Sequence, residues 1–122
     1  SLAHAVQHDL NIPEIPVVSV STACSSLLNA IELVQGYFCM GKASRALVVV
    51  SDHNTAYADE SDKMAGHLWG DGAAALFISN ERISDSDLKI CDVLTGGAAT
   101  VGKATEGVMM RPLNGGMSMP YG

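Results

Sequence analysis

The chain has 122 residues, of which 48% are apolar and 16% charged, with a formal net charge of −6. That length suits one modest domain with its own core. The acidic balance and scattered basic residues exclude a nucleic-acid surface, which needs clustered Lys and Arg. So low a charge content implies that much of the surface is covered, by further chain or by a partner subunit.

No apolar run reaches the length of a membrane span. The start, Ser1-Leu2-Ala3-His4, lacks the basic and apolar regions of a signal peptide. It also lacks Met, so the chain reads as a processed product or as a piece of a longer one. Cys24, Cys39 and Cys91 form an odd set without close pairs, which suits a reducing compartment and a cytoplasmic setting.

In chain order, Leu2 to Leu10 reads as the end of a helix, with Ala3, Val6 and Leu10 on one stripe. Asn11 and Pro13 stop it. His4 and His8 are spaced i, i+4, but no third ligand supports a metal, and they read as a surface pair. Val17 to Val20 reads as a buried strand. A helix follows from about Cys24 to Met40. Its stripe is Leu27, Ile31, Val34 and Phe38, its flanks are Leu28, Ala30, Leu33 and Tyr37, and Glu32 is its only charge. A helix apolar nearly all round is expected to be buried. Gly41 ends it. Residues 45–51, RALVVVS, form a continuous apolar run, as in a strand covered on both faces. Residues 17–51 therefore read as one right-handed βαβ unit.

Cys24 falls where the strand gives way to the helix. Unpaired N–H groups and the positive end of the helix dipole favour a thiolate there, and the thiolate is the nucleophile. The alternative is a small buried hydrophobe, which free cysteines often are. Cys24 and Cys39 stand about 22 Å apart at 1.5 Å per residue, so they cannot bond to each other. No C-x-x-C spacing occurs, and the His4–His8 pair stands without further ligands, so zinc is not suggested.

The segment from Asp52 to Met64 is polar, with Asp59, Glu60 and Asp62. It reads as a solvated loop or as the rim of a pocket. His67-Leu68-Trp69 and Ala73 to Ile78 read as a strand pair, or as one long strand interrupted at Gly70-Asp71-Gly72. That Gly-x-Gly fails as a dinucleotide fingerprint, because β-like residues follow it where a helix is needed. Asn80 to Asp87 reads as a turn, and Leu88 to Leu94 as a strand. Beyond Thr95 the chain is rich in Gly and in Met109, Met110, Met117 and Met119, without a clear period. It reads as a pocket lid or as a segment that orders only against other chain.

Three motifs in register then resemble one family. They are Ser21-Thr22-Ala23-Cys24-Ser25-Ser26, residues 41–52 (GKASRALVVVSD) and residues 69–76 (WGDGAAAL). Over residues 1 to about 80 they look like the first half of a β-ketoacyl synthase of the thiolase superfamily, type III-like. The cysteine context is closer to the chain-elongating and polyketide enzymes, and the acidic loop and Gly-Asp-Gly strand are closer to type III. The resemblance implies a partial thiolase-like α/β fold, with a mixed sheet and a buried central helix after the cysteine strand. Residues 1–80 would be part of the N-terminal half and residues 81–122 a strand plus a connecting segment.

The resemblance also implies chemistry. Cys24 would accept an acyl group from a thioester, with its own N–H in the oxyanion hole. A malonyl thioester would then lose carbon dioxide and condense with the acyl group, in fatty acid or polyketide synthesis. Lys63 falls where type III enzymes place an arginine that touches coenzyme A, and Trp69 where an aromatic lines the acyl tunnel. For Lys63 the alternative is a solvated cation, and for Trp69 plain core packing. His53 and His67 match no catalytic position and read as structural. No cofactor or metal is implied. The partners implied are coenzyme A or acyl carrier protein thioesters, and a second copy of the chain paired through residues 17–20. The family's condensing His and Asn, and the first two strands of its sheet, would lie outside these 122 residues, so this polypeptide alone should not condense. Two alternatives are an acyltransferase making esters or amides, and a non-catalytic partner subunit, against which Cys24 argues.

Overall fold

The computed structural model describes residues 1–56, 61, 63, 66–98, 109–111 and 116–118. Its elements are α1 (Leu2–Asp9), α2 (Ser26–Cys39), β1 (Arg45–His53), a single 3-10 turn (Asn54–Ala56), β2 (Asp71–Ser79), β3 (Met109–Arg111) and β4 (Gly116–Ser118). Two compact units divide them. One comprises Ser1–Val50 and Ala75–Thr95, and the other Ser51–Ala74 and Gly96–Gly122. The β1–β2 pair contributes residues to both.

In the first unit both helices end in the same way. After α1, the Asn11 N–H donates to the His8 carbonyl and the Ile12 N–H to the Gln7 carbonyl, each at 3.0 Å. After α2, Gly41 donates to Phe38 at 3.0 Å and Lys42 to Tyr37 at 2.9 Å. These paired bonds are the Schellman arrangement, which satisfies last-turn carbonyls and needs a left-handed residue just past the helix. Asn11 (φ 50°) and Gly41 (φ 65°) supply it, and these are the two residues whose chemistry predicted the stops.

The buried apolar residues among those described are Ile31 on α2 and Val48 on β1. The expectation of a fully buried helix is thus met only at Ile31. Leu28 and Leu33 are exposed, and Leu27, Val34 and Phe38 are half-buried. On β1, Ala46, Leu47, Val49 and Val50 flank Val48 at intermediate burial, so both faces of the run are partly covered, as its unbroken apolar character requires. On β2, Leu76 and Ile78 are half-buried while Phe77 between them is 86% exposed, the two-residue alternation of a strand.

The partner of β1 is β2. Asn80 N–H donates to the Ser44 carbonyl at 3.1 Å past one end of the pair. His53, at the other end of β1, meets Asp71, the first residue of β2, at 2.8 Å. These two ends make the pairing antiparallel. The expected βαβ unit is not formed. Residues 17–20 join no sheet, because a strand is defined by a hydrogen-bonded neighbour and no described segment supplies one. Residues 88–94 differ from expectation for the same reason, with Leu88 and Leu94 largely exposed. The turn before them forms as expected, with the Asp87 carboxylate accepting the N–H groups of Ile83 (2.7 Å) and Ser84 (2.8 Å).

In the second unit, β2 begins at Asp71 and runs through Gly72 without interruption, while His67 and Leu68 lie in a turn. No helix follows Gly72, in keeping with the rejected dinucleotide fingerprint. Asp59, Glu60, Asp62 and Met119 lie outside the described residues. Part of the Met-rich segment forms an antiparallel pair of β3 with β4, with Met110 opposite Met117.

Gly41→Ala tests the helix stop. A Cβ there would meet nothing within 4 Å, so the cost is backbone strain alone. Urea unfolding should show a loss of about 1 kcal/mol, with α2 otherwise intact by circular dichroism.

Candidate functional site

The site is built on the turn that leads into α2. Its helix starts at Ser26 with Ser25 as the N-cap residue, so Cys24 stands one residue ahead of the cap and not in the first helical turn. This corrects the expected start near Cys24. The reason is local. Ala23 adopts φ 53°, a left-handed conformation that a non-glycine residue reaches at about 1 kcal/mol or more and that cannot propagate a right-handed helix.

Hydroxyls hold that turn. Ser26 Oγ accepts the Thr22 N–H at 2.9 Å and donates to the Ala23 carbonyl at 2.7 Å. Ser25 Oγ donates to the Thr22 carbonyl at 2.8 Å, instead of capping the helix. Thr22 Oγ1 donates to Asn29 Oδ1 at 2.8 Å, tying the turn to the first turn of α2. The backbone adds Ser25 N–H to Thr22 (3.3 Å) and Ser26 N–H to Ala23 (3.1 Å). Cys24 itself is exposed and its thiol is free. Its N–H has no hydrogen-bond partner among the described residues.

Beside this turn an open groove of about 440 Å³ runs along α2, lined by Val20, Thr22, Asn29, Glu32, Leu33, Gly36, Tyr37 and Met40. Cys24 is not part of the lining. The Thr95 hydroxyl donates to the Glu32 carboxylate, which anchors the end of the 88–95 segment on α2.

Lys63 and Trp69 belong to the second unit. Lys63 is exposed, and Trp69 is half-buried with its indole Nε1 buried and unpartnered among the described residues. His67 is exposed. His53 joins a cluster that sequence reasoning missed. The Asp71 carboxylate accepts the Thr55 N–H at 2.9 Å, the Thr55 hydroxyl at 2.6 Å and His53 Nδ1 at 2.8 Å. The bonds from Thr55, hydroxyl first and then backbone N–H, lower the Asp71 pKa from 3.8 to about 2; desolvation opposes them, and His53 adds a smaller lowering. Thr22, Ser26 and Asn29 were missed as well. Their signal was the cluster of small hydroxyl residues before an apolar helix. Asp71 offered no local signal, since its partners lie 16 and 18 residues away.

Among the described residues no group of three or more His, Cys, Asp or Glu could hold a metal ion, and no described helix is long and apolar enough to cross a membrane.

The profile of the family described as 3-oxoacyl-[acyl-carrier-protein] synthase III matches residues 18–99, which includes the Cys24 turn, α2, β1 and β2. The chain belongs to that family. Among similar proteins is a β-ketoacyl-[acyl-carrier-protein] synthase III of Psychromonas ingrahamii, 34% identical over 65% of this chain and 25% of the relative. The protein of the same name from Sphingopyxis alaskensis is 30% identical over 82% of this chain and 35% of its own length. That from Oleidesulfovibrio alaskensis is 24% identical over 99% of this chain and 35% of its own. The chain thus spans a quarter to about a third of the length of the curated relatives it matches. No solved structure matches it significantly.

The Asp71 cluster makes a pH prediction. A carboxylate with a lowered folded-state pKa contributes stability that is present above its unfolded value of 3.8 and lost as pH falls toward about 2. Carboxyl NMR titration should place Asp71 at the low end of the aspartates. Asp71→Asn should lower stability at pH 7 while flattening the acid limb between pH 4 and 2. An Asp71 that titrates near 3.8 contradicts this.

Proposed function

We propose that the protein is a condensing acyltransferase of the β-ketoacyl synthase III type, and that Cys24 is its acyl acceptor. The observation that carries the reading is an exposed, free thiol, one residue ahead of a helix cap, whose backbone N–H has no partner among the described residues. It lies inside the family-matched residues.

The chemistry follows from those two groups. The Cys24 thiolate attacks the carbonyl carbon of an acyl thioester, and negative charge gathers on the carbonyl oxygen. The Cys24 N–H donates to that oxygen, where a fixed dipole lowers the barrier without reorganisation. The bond from carbon to the carrier sulfur breaks, and the carrier leaves as a thiol with the proton that Cys24 gave up. In the second half, a malonyl thioester loses its carboxyl group as carbon dioxide. The electron pair left on carbon attacks the acyl carbon, and the acyl–Cys24 bond breaks to restore the thiolate. We assign the first half to this chain, and a His and an Asn elsewhere in the protein to the second. Lys63 supplies a cation for a carrier's phosphates, and Trp69 an apolar wall for the acyl group. The carrier is coenzyme A or acyl carrier protein, no cofactor is needed, and a cytoplasmic setting suits three reduced thiols.

We further assign residues 17–20 to a two-fold pairing with a second copy of the chain. The support is an apolar segment with Val18 half-exposed and no strand beside it among those described, and unpaired apolar backbone of this kind invites pairing. Sedimentation equilibrium should find a dimer that Val18→Pro shifts to monomer. A wild-type monomer at high concentration contradicts the assignment.

Incubation with acetyl-coenzyme A followed by peptide mass mapping tests the acyl acceptor. Cys39 and Cys91 are also exposed and free, so they are internal controls. One acetyl group should appear on Cys24 well before either control, and Cys24→Ala should abolish it. Equal labelling of the three, or none on Cys24, overturns the reading.

A further inference from the structure

We propose that Ser26 is a positioning residue that aims the Cys24 N–H. The inference rests on the reading of Cys24 as acyl acceptor. The Ala23 carbonyl and the Cys24 N–H belong to one planar trans peptide group, so they point in opposite directions and move together. Two donors grip that carbonyl on the helix side, the Ser26 N–H at 3.1 Å and the Ser26 hydroxyl at 2.7 Å. With the oxygen drawn toward the helix, the N–H on the same plane is turned away from it, and it has no partner among the described residues.

The same hydroxyl oxygen accepts the Thr22 N–H at 2.9 Å. It therefore fixes the peptides on both sides of the Thr22–Ala23 link. Between them Ala23 is held at φ 53°, which an alanine does not adopt without restraint. Among the described residues, Ser26 is thus the side chain that bonds both before and after the strained residue. Its loss would let Ala23 relax, and the peptide plane carrying the Cys24 N–H would rotate. The thiol would stay exposed. Only the donor aimed at the developing oxyanion would be lost, so the effect belongs to acylation and not to thiol chemistry in general.

This separates Ser26 from a residue that merely supports the fold. Alkylation of Cys24 by iodoacetamide uses the same sulfur but develops no oxyanion. Ser26→Ala should slow acetyl transfer from acetyl-coenzyme A to Cys24 by roughly tenfold or more at saturation. The half-saturating concentration and the iodoacetamide rate should stay within about twofold, as expected when only transition-state stabilisation is lost. Ser26→Thr keeps the hydroxyl and should restore the rate. Adding Ala23→Gly to Ser26→Ala should restore part of it, because glycine takes positive φ without strain. Ala23→Val, which resists positive φ, should reproduce the defect with Ser26 intact. The proposal is overturned if Ser26→Ala acylates as wild type, if both reactions slow equally, or if the threonine variant fails to rescue. A wild type that alkylates at Cys24 but is never acylated there overturns instead the acyl-acceptor reading.

Discussion

Ala23 sits in a left-handed conformation directly before Cys24, and the surrounding turn is arranged to keep it there. The strain of that one residue is opposed by several hydrogen bonds, each with a modest net contribution of about 1 kcal/mol. They come from serine and threonine hydroxyls that in another context would cap the helix. Ser25 occupies the cap position and yet spends its hydroxyl on Thr22. The helix consequently begins without a side-chain cap, and its leading residues hold the turn instead. A segment that gives up helix stability to keep a particular peptide orientation is the kind of local conflict that marks functional positions.

Those features of the chain that depend on near neighbours were readable in advance. Asn11 and Gly41 each announced a helix end, and both ends close with the same pair of carbonyl bonds. The valine run at 45–51 announced β1. The cysteine motif announced a junction between extended chain and helix, though its offset of two residues from the first helical position depended on the φ of Ala23, which no propensity foretells. What depended on partners far along the chain was not readable. Residues 17–20 and 88–94 have strand-like composition but lack a described neighbour, and composition cannot supply one. Asp71 was read as part of a glycine turn, whereas its carboxylate gathers Thr55 and His53 at the ends of β1 and β2. The β3–β4 pair was missed too, because its strands are three residues each and carry no clear alternation.

The distribution of apolar surface fits the short share of its relatives that the chain represents. Phe77, Leu88 and Leu94 are each more than four-fifths exposed, and α2 carries leucines on faces that nothing described covers. Exposed apolar side chains in such number normally mark surfaces meant for contact. The helix, its stop and the cysteine turn keep their local geometry although these flanks are exposed among the described residues. Helix ends and hydroxyl-bonded turns are local, and they need little core to form.

The helix α2 also acts as a ruler between two sulfurs. Cys39 is its last residue and Cys24 precedes its first by two. Fourteen helical residues extend about 21 Å and do not bend back on themselves. Oxidation therefore has no route to a ring linking these two positions within one molecule. Any bridge that air makes from them must reach another sulfur, in the same chain or a different one, and covalent crosslinking between polypeptides becomes the cost of storing the protein without a reductant.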